Sequence, residues 1–525
     1  MRSIRKKPFL VISIQLDYRS ISNKAYATIA PTKNKVIIVQ DSAINIQKFI
    51  LKFFPEIMIK GASAKRLMSN QLYTNLLTIL GRIDTNIEVK KFSDKIEVLT
   101  PRSVLPEVRQ VLLETSGIEQ VLEVLQFDDM DTLDKIKVKV GELVADSLEG
   151  KTFVVRAKRS GQHEFNSTKL EQVVGGYLLA HSKAKSVDLR NAEVTIRMEL
   201  LHKQLNVITS KYKGLSGFPI GTQGDILSLM SGGFDSTVAS YLTMKRGIKT
   251  HFVFFNLGGA AHEIGVKQVA LYLWSKFGSS HRVKFISVPF ERVLEEIFRS
   301  TGPTYMGVTL KRLMLMASEK IADEMEIDAL LTGESVAQVS SQTLRNLALI
   351  DKVSNKLILR PLSTMNKPDI MAIADDIGTR HFAESMPEYC GVISQNPITH
   401  GSFKRMEREA KRFDYEVLDK AVEDAQHIYV DEVVADVTKM AAIEVVETLD
   451  NDKYVVIDIR AEDDCIETSC ESIKIPFYKL KTAFADLPKD KEYLLYCEKG
   501  IMSQLHGQFL KDAKICENIK VYRPQ

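Results

Sequence analysis

The sequence predicts a multidomain protein that combines α+β and α/β units, and three observations lead to this prediction. The chain has 525 residues, of which 45 % are hydrophobic and 26 % charged, a composition typical of several folded domains. Residues 48–212 mix hairpin-like strands with short helices, which is the α+β pattern. From residue 225 onward strands alternate with helices, which predicts a doubly wound parallel sheet followed by a smaller α/β unit.

Residues 1–47 are predicted to form a poorly ordered extension. The stretch MRSIRKKPFLVISIQL is basic and then briefly apolar, as in a targeting segment, but no A-x-A-like cleavage site follows it. No apolar run approaches the roughly 20 residues that cross a bilayer, so no membrane association is expected. Five cysteines are too few for a disulfide-built secreted fold, which favours thiol chemistry in the reducing cytoplasm.

Two small α+β units are expected before the parallel sheet. In the first, at 48–105, QKFILKFFPEIMIKG predicts a strand, SAKRLMSNQLYTNLLTILGRI a helix and NIEVKKFSDKIEVLT a hairpin. The second, at 106–212, begins with the predicted helix PEVRQVLLETSGI and ends on the predicted strands AEVTIRMEL and QLNVITSKY. Hairpins mixed with helices in this way indicate small α+β domains.

The second of these units carries a marked basic cluster. Residues 1–216 have a net charge of +11, whereas residues 217–525 have a net charge of −7. The cations of the predicted strand and turn KTFVVRAKRSGQHEFNS that come before its first acidic residue are Lys151, Arg156, Lys158 and Arg159. Such clusters neutralise nucleic-acid phosphates, so RNA is the expected partner. The alternative interpretation is a solvated edge strand that charge protects from aggregation.

An α/β unit is expected at 213–430, beginning with the glycine-rich segment GLSGFPIGTQG. The turn SGGFDS lies between the predicted strand DILSLM and the predicted helix TVASYLTMKRG, at the carboxyl end of the first strand. Ligands bind at this edge of open sheets, and Gly232 and Gly233 would let the backbone approach an anion. The hydroxyls of Ser231 and Ser236 would add donors. An ordinary turn between a strand and a helix is the alternative.

The turn SGGFDS matches one class of nucleotide loop and lacks the patterns of two others. It contains neither G-x-x-x-x-G-K-[ST] nor G-x-G-x-x-G, so a Walker loop and a dinucleotide site are not expected. It resembles the PP-loop, S-G-G-x-D-S, of ATP pyrophosphatases, which adenylate a carbonyl oxygen and release pyrophosphate. That class includes amidotransferases, lysidine synthetases and tRNA thiolases, so the loop alone leaves the substrate open.

The last predicted unit, at 449–525, contains a candidate sulfur carrier. Cys497 lies in LLYCEKGIMS, after an apolar strand and before a helix, where backbone N–H groups favour a thiolate or a persulfide. The stretch resembles a rhodanese active-site loop, with VVIDIR and IPFYKL as the matching upstream strands. It departs from many rhodaneses because Met502, Ser503 and Gln504 stand where an arginine is common.

The other cysteines give weaker signals. Cys390, in SMPEYCGVIS, is predicted to lie on an accessible turn, and an inert buried thiol is the alternative. No partner is evident for Cys465, Cys470 or Cys516. The chain contains no C-x-x-C pair, which disfavours an iron–sulfur or zinc site.

The order of these parts resembles the tRNA 4-thiouridine synthetase (tRNA sulfurtransferase) family over residues 48–525. The stretches that carry the resemblance are FPIGTQGDILSLMSGGFDS, FFNLGGAAHEIGVKQVA, FGSSHRV, LTGESVAQVSSQTLRNL, MPEYCGVIS and CEKGIMS. The resemblance implies a ferredoxin-like domain at 48–105, a THUMP RNA-binding domain at 106–212, a PP-loop ATP pyrophosphatase domain at 213–430, a linker at 431–448 and a rhodanese-like domain at 449–525.

The resemblance also implies an adenylation step. ATP would bind at the PP-loop, and O4 of the uridine at tRNA position 8 would attack the α-phosphate. Asp235 would orient Mg²⁺-bound pyrophosphate, and Lys367 would neutralise charge on the phosphates, although without the resemblance Lys367 reads as a surface lysine. The expected ATP contacts are Leu229, Met230, Ser231, Gly232, Gly233, Ser236, Lys311, Gly333 and Gln342.

The sulfur half of the implied reaction involves two cysteines. Cys497 would accept sulfur as a persulfide from a cysteine desulfurase and pass it to C4 of the uridine, directly or as released sulfide. Cys390 would then form a disulfide with Cys497, which a thioredoxin-like reductant would restore. The same sulfur could reach thiazole synthesis for thiamine through a sulfur-carrier protein, and the chain could form a homodimer.

Two other functions fit parts of the sequence. Another PP-loop ligase, such as a lysidine or GMP synthetase, would have no need of the rhodanese-like loop. A non-enzymatic RNA-binding sulfur carrier would have no need of an ATP site. The intact Ser231, Asp235 and Lys367 speak against that second alternative.

Overall fold

The computed structural model describes residues 46–257, 260–385 and 396–433, and shorter stretches between 444 and 523. The chain divides into two compact units, Met1–Ser216 and Gly217–Gln525. The extension predicted at 1–47 lies outside the described residues, except that Ile46 and Gln47 begin the first strand.

The described part of the first unit contains an eight-stranded sheet and five α-helices. The strands are β1 (Ile46–Phe53), β2 (Glu88–Lys91), β3 (Lys95–Pro101), β4 (Ile118–Phe127), β5 (Thr152–Ser160), β6 (Ser186–Val187), β7 (Val194–Leu201) and β8 (Gln204–Lys213). The helices are α1 (Pro55–Met58), α2 (Ala62–Leu80), α3 (Leu105–Glu114), α4 (Leu133–Val144) and α5 (Ser167–His181). The strand order is β2-β3-β1-β4-β8-β7-β5-β6.

The sheet is continuous across the boundary that the sequence predicts at 105/106. Strand β4 pairs antiparallel with β1 on one side and with β8 on the other. The four antiparallel strands β2-β3-β1-β4 have the ferredoxin-like order, and β5 pairs parallel with β7. The strand predicted over QKFILKFFPEIMIKG is too long, because Pro55 has no N–H for a ladder and instead begins α1.

The helices of the first unit pack on one face of its sheet. In β5, Phe153 and Val155 are buried against Leu170 of α5. Successive strand residues point to opposite faces, so Arg156 and Lys158 of β5 lie on the face away from these helices, where both are exposed. The expected basic strand therefore has one apolar face and one charged face.

A six-stranded sheet forms the larger part of the second unit in the described residues. Its strands are β9 (Asp225–Leu229), β10 (Lys249–Asn256), β11 (Lys284–Pro289), β12 (Ala329–Leu331), β13 (Leu357–Leu359) and β14 (Gln426–Tyr429). The helices are α6 (Phe234–Lys245), α7 (Ala260–Leu273), α8 (Glu291–Ser300), α9 (Met306–Glu324), α10 (Leu344–Asp351), α11 (Lys367–Ile377), α12 (Arg380–Ser385), α13 (Phe403–Ala410) and α14 (Tyr415–Glu423).

This sheet confirms the predicted doubly wound topology. Its order is β13-β12-β9-β10-β11-β14, and all neighbours are parallel except β14, which is antiparallel to β11. Both faces are buried, since the adjacent residues Ile226 and Leu227 of β9 belong to different apolar clusters. The strand order reverses at β9, which has β10 on one side and β12 on the other. The carboxyl end of β9 is therefore the topological switch point, where such sheets bind ligands.

The remaining described stretches contain a five-stranded parallel sheet. Its strands are β15 (Val445–Val446), β16 (Tyr454–Asp458), β17 (Glu471–Lys474), β18 (Glu492–Tyr496) and β19 (Ile519–Tyr522), in the order β15-β19-β18-β16-β17. The strand predicted over IPFYKL falls mostly on residues 476–479, which lie outside the described residues; β17 ends at Lys474, and Leu480 begins the short helix α15 (Leu480–Ala483). Over the described ranges of the whole chain, no helix is long and apolar enough to span a membrane.

Candidate active site

The SGGFDS turn joins β9 to the amino-terminal end of α6. Gly232 has a φ of 80°, in the left-handed region that a side chain disfavours. Ser236, in the first turn of α6, accepts a hydrogen bond on Oγ from the N–H of Ser231 at 3.2 Å, and the two hydroxyls are 3.1 Å apart. The turn is thus closed by its own serines. It presents backbone N–H groups and a helix amino terminus at the switch point, a geometry that suits a phosphate.

A buried histidine of α7 supports this turn, and no local sequence pattern predicted its role. His262 Nε2 lies 3.1 Å from the carbonyl oxygen of Ser231. Burial lowers the pKa of His262 below its ordinary value, so the ring is neutral at pH 7 and donates through Nε2 to that carbonyl. The motif FFNLGGAAHEIGVKQVA includes this residue, but only the fold shows that it contacts the turn.

Asp235 and Lys367, which are 132 residues apart in the chain, form an ion pair at the same edge. The Nζ atom of Lys367 lies 2.8 Å from Oδ1 and 3.0 Å from Oδ2 of Asp235. Gln338 donates to Oδ2 from Nε2 at 2.8 Å. The side chains of Asp235 and Lys367 retain 24 % and 37 % of their exposure, so both are open to a ligand.

Gly333 lies against the backbone of the turn's helix. A Cβ atom added at Gly333 would be 2.5 Å from the carbonyl carbon of Asp235 and 2.6 Å from the nitrogen of Ser236. No real Cβ atom approaches other atoms so closely, hence residue 333 is a glycine because of close packing. The segment that follows β12 is therefore pressed onto the first turn of α6.

Glu334, which sequence reasoning missed, is the centre of a buried charge cluster. Its Oε1 is 2.7 Å from Nζ of Lys311, and its Oε2 is 2.8 Å from Nε of Arg360 and 3.1 Å from the donating hydroxyl of Thr332. Burial alone would raise the pKa of Glu334, but Lys311 and Arg360 outweigh burial and hold that pKa at about 2. Arg360 is itself bound by Asp351 through two hydrogen bonds of 2.9 and 2.6 Å.

Gln342 has a buried acceptor that suits a ligand. Within the described part of the chain, the buried atom Oε1 of Gln342 has no hydrogen-bond partner. An unsatisfied buried carbonyl costs free energy, so a donor on a bound molecule is an attractive partner. Two of the other expected contacts lie at the end of β9. Leu229 is the last residue of the strand, and the buried Met230 follows it. The N–H of Met230 donates to the carbonyl of Val253 at 2.9 Å.

Cys497 follows directly after β18, at the carboxyl end of the five-stranded sheet. It is buried, and the N–H of Ser503 donates to its Sγ at 3.3 Å. Burial lowers the pKa of His506 to about 4, so that ring carries no charge at pH 7. Cys390 lies outside the described residues, as does Cys465, whereas Cys470 and Cys516 lie within them and form no disulfide with another described cysteine.

The four cations predicted to contact RNA divide into two kinds. Lys151 donates from Nζ to the carbonyl of Ser147 at 2.8 Å, and Arg159 donates from Nη1 to that of Gly161 at 3.0 Å. Both are thus engaged in local structure. Arg156 also donates to a backbone carbonyl, at 2.7 Å, yet remains exposed like Lys158.

Two further cations share the exposed sheet face with Arg156 and Lys158. Arg197 of β7 is the Cα partner of Arg156 across the ladder. Burial lowers the pKa of Arg197, and the charge of Arg156 lowers it further. Burial also lowers the pKa of Lys211 on β8, and the charges of Arg197 and Lys158 add to this effect. Because the charges of the two β5 cations lower the pKa values of Arg197 and Lys211, the four side chains form one basic surface. Strand periodicity around Arg197 and Lys211 was the signal that could have found them.

Comparisons with known proteins agree with this architecture. A family model described as thiamine biosynthesis protein (ThiI) matches residues 221–415, a THUMP domain model matches 131–209 and a rhodanese-like domain model matches 441–523. A solved 4-thiouridine synthetase, crystallised with RNA and bound ATP, is 23 % identical with a TM-score of 0.64, covering 73 % of this chain and 99 % of its own; it shows the same fold.

Two relatives establish the family. A tRNA sulfurtransferase of Aeromonas hydrophila subsp. hydrophila is 48 % identical over 488 residues, which cover 91 % of this chain and 100 % of the relative. A tRNA sulfurtransferase of Shewanella piezotolerans is 46 % identical over 486 residues, with the same two coverages. The chain therefore belongs to the tRNA sulfurtransferase family.

Proposed function

We propose that this enzyme uses ATP to activate a tRNA uridine, at position 8, and replaces its O4 with sulfur carried on Cys497, giving 4-thiouridine. The observation that carries the proposal is the presence of two sites in one chain. One is an anion-binding turn with the Asp235–Lys367 pair at a switch point, and the other is a cysteine that accepts a backbone N–H at the end of a parallel strand. The names of the relatives support the same reaction.

The adenylation step would take place at the turn after β9. The backbone of Gly232 and Gly233, with the hydroxyl of Ser231, would bind the phosphates of ATP. The uridine O4 attacks the α-phosphorus, the bond to the β-phosphate oxygen breaks, and pyrophosphate leaves. Lys367 would neutralise negative charge that grows on the departing phosphates. The product carries AMP on O4, which makes that oxygen a good leaving group.

Asp235 is the carboxylate that fits Mg²⁺ bound with ATP. Mg²⁺ is usually held by one or two carboxylates together with substrate phosphates, not by a cage of protein ligands. The metal would supply positive charge to the pyrophosphate. Lys367 and Gln338 already fix the carboxylate of Asp235 at the turn.

The sulfur step would use Cys497 and Cys390. A cysteine desulfurase would load Cys497 as a persulfide, whose terminal sulfur attacks C4 of the uridine, and the C4–O bond to AMP breaks. The thiolate of Cys390 then attacks Sγ of Cys497, which releases 4-thiouridine and leaves a Cys390–Cys497 disulfide. A dithiol reductant of the thioredoxin type would return both thiols with two electrons. The hydrogen bond donated by the N–H of Ser503 would stabilise negative charge on Sγ of Cys497 in each exchange.

The exposed face of the first unit's sheet is the proposed tRNA contact. Arg156 and Lys158 project from it, and Arg197 and Lys211 enlarge the same surface. Lys151 and Arg159 remain proposed contacts of lesser weight, because both are only partly exposed, whereas Arg156 and Lys158 are exposed. Cations on one face neutralise successive backbone phosphates, which gives salt-dependent binding. The solved relative in complex with RNA supports a nucleic-acid partner.

A second role as sulfur donor for thiamine thiazole synthesis is favoured by the description of the family model over residues 221–415. That role would need Cys497 and a sulfur-carrier protein, but no tRNA. We place both activities in the cytoplasm, where reductants maintain free thiols. A homodimer would be compatible with either role.

Mass spectrometry of nucleosides tests the proposed function. Transfer RNA is incubated with the protein, ATP, cysteine and a cysteine desulfurase, then digested. We expect 4-thiouridine only when ATP is present, and none with Cys497→Ala. A different modified nucleoside would favour another PP-loop ligase. Binding of tRNA and loading of Cys497 without any modified nucleoside would favour a non-enzymatic carrier and refute the proposal.

A further inference from the structure

Glu334 combines deep burial with contacts that reach the nucleotide site. It retains 8 % exposure and directly follows Gly333, the residue that is packed against the backbone of Asp235 and Ser236. We propose that Glu334 is a positioning residue for ATP, which fixes the ammonium of Lys311 for contact with the phosphates. The inference rests on the proposed function, because the contact of Lys311 with ATP is expected from family resemblance alone.

The two cations around Glu334 are held differently. Arg360 is anchored twice, by Glu334 and by the two-bond contact with Asp351. For Lys311, the contact described is the 2.7 Å bond to Oε1 of Glu334. An ammonium has three donors, so this bond leaves two for the oxygens of a phosphate. Glu334 thus sets where the charge of Lys311 lies without using all of its donors.

The cluster also explains how a fixed lysine is obtained from a flexible side chain. A lysine stem has four rotatable bonds and samples many rotamers unless its end is bound. Glu334 is itself immobilised by Arg360, by the hydroxyl of Thr332 and by the packing of its neighbour Gly333. The position of the turn and the position of the ammonium are therefore set by one short segment after β12.

Two opposite effects are expected when the carboxylate loses its charge. The ammonium of Lys311 loses its anchor, which weakens ATP binding. The carboxylate also stops screening that ammonium, which strengthens its attraction for phosphates. We expect the loss of the anchor to dominate, because a charge-assisted hydrogen bond in the right place contributes about ten- to a hundredfold in affinity.

The test is a double-mutant cycle on the full-length protein, with ATP as the titrated ligand. Glu334→Gln and Lys311→Met should each raise the Kd for ATP about ten- to a hundredfold, as measured by calorimetry. At saturating ATP, the thiolation rate of Glu334→Gln should return to that of the wild type. The double variant should bind ATP no more weakly than Lys311→Met. Additive losses would refute positioning through Lys311, and tighter binding by Glu334→Gln would show that the carboxylate screens the lysine instead.

Glu296→Gln is the matched control for loss of a buried carboxylate. Glu296, on α8, is buried and pairs with Arg299 at 2.6 Å, and its contacts described here are with Ser300, Arg299 and Asp414. The Kd of the Glu296→Gln variant for ATP should equal that of the wild type. If Glu334→Gln does not fold, Glu334→Asp keeps the charge but shifts it by one methylene and should also raise the Kd. Failure of the wild type to bind ATP would overturn the proposed function, and this inference with it.

Discussion

Replacing Gly333 with alanine tests whether close packing of residue 333 on the turn's helix is needed for ATP use. The new Cβ would lie 2.5 Å from the carbonyl carbon of Asp235 and 2.7 Å from its oxygen. Ordinary contacts begin at 3.4 Å, so one of the two backbone segments must shift by about 0.9 Å. The neighbouring atoms are backbone and cannot rotate away as the end of a side chain would.

The size of the effect follows from that shift. Overpacking of this kind typically costs about 1–3 kcal/mol of stability. A misplacement of about 1 Å in a catalytic arrangement costs on the order of a hundredfold in rate. Gly333 has no positive φ, so alanine adds no backbone strain and the loss would come from the clash alone. We therefore expect a protein that folds but thiolates tRNA on the order of a hundred times more slowly.

The assay compares ATP-dependent formation of 4-thiouridine with persulfide loading of Cys497 by a cysteine desulfurase. Gly333→Ala should impair the first and leave the second unchanged. Gly61→Ala and Gly176→Ala are matched controls, because among the described residues an added Cβ at either position meets nothing within 4 Å. Wild-type thiolation by Gly333→Ala would refute the argument that this contact sets the turn.

The remaining predictions concern four other features. Lys367→Met should slow adenylation at saturating ATP on the order of a hundredfold or more while Cys497 still loads, and a normal rate would refute its role at the phosphates. Cys497→Ala should abolish persulfide formation but leave the Kd for ATP unchanged; continued sulfur transfer would exclude it as the carrier. Arg197→Glu and Lys211→Glu should each weaken tRNA binding and reduce the slope of log K against log salt concentration by about 1. An unchanged slope would show that the substituted residue is not part of the contact surface. The pKa of Glu334 is lowered from 4.5 to about 2, so its stabilising contribution of about 3 kcal/mol is complete above pH 4.5 and lost as pH falls toward 2. The difference in melting temperature between wild type and Glu334→Gln should therefore shrink between pH 5 and pH 3; a constant difference would contradict that pKa.

Local signals were sufficient for the fold class and for the turn. Apolar runs bounded by glycine predicted β9 and α6, because burial on both faces of a parallel strand needs consecutive apolar residues such as Ile226 and Leu227. The two glycines predicted an anion-binding turn because a positive φ, as at Gly232, excludes most side chains.

Contacts between distant segments needed the structure. Nothing local in the sequence relates Asp235 to Lys367, and only family resemblance suggested that they act together. Glu334 was missed because its partners come from α9 and from the end of β13, which approach it only in the folded sheet. The sequence predicted the basic surface on one strand only. Arg197 and Lys211 also belong to that surface, but the register that places neighbouring strands side by side is not encoded in any single strand.

The two lysines that we propose to contact ATP are suited to different tasks by their burial. The Asp235–Lys367 pair is partly exposed, and such pairs contribute about 0–1 kcal/mol, so phosphates can replace the carboxylate as the partner of Lys367 at little cost. The Lys311–Glu334 pair is buried, where separating the partners costs about 3–5 kcal/mol. Lys311 should then keep its carboxylate when ATP binds. Lys367 is the lysine free to follow the phosphate charge as pyrophosphate leaves.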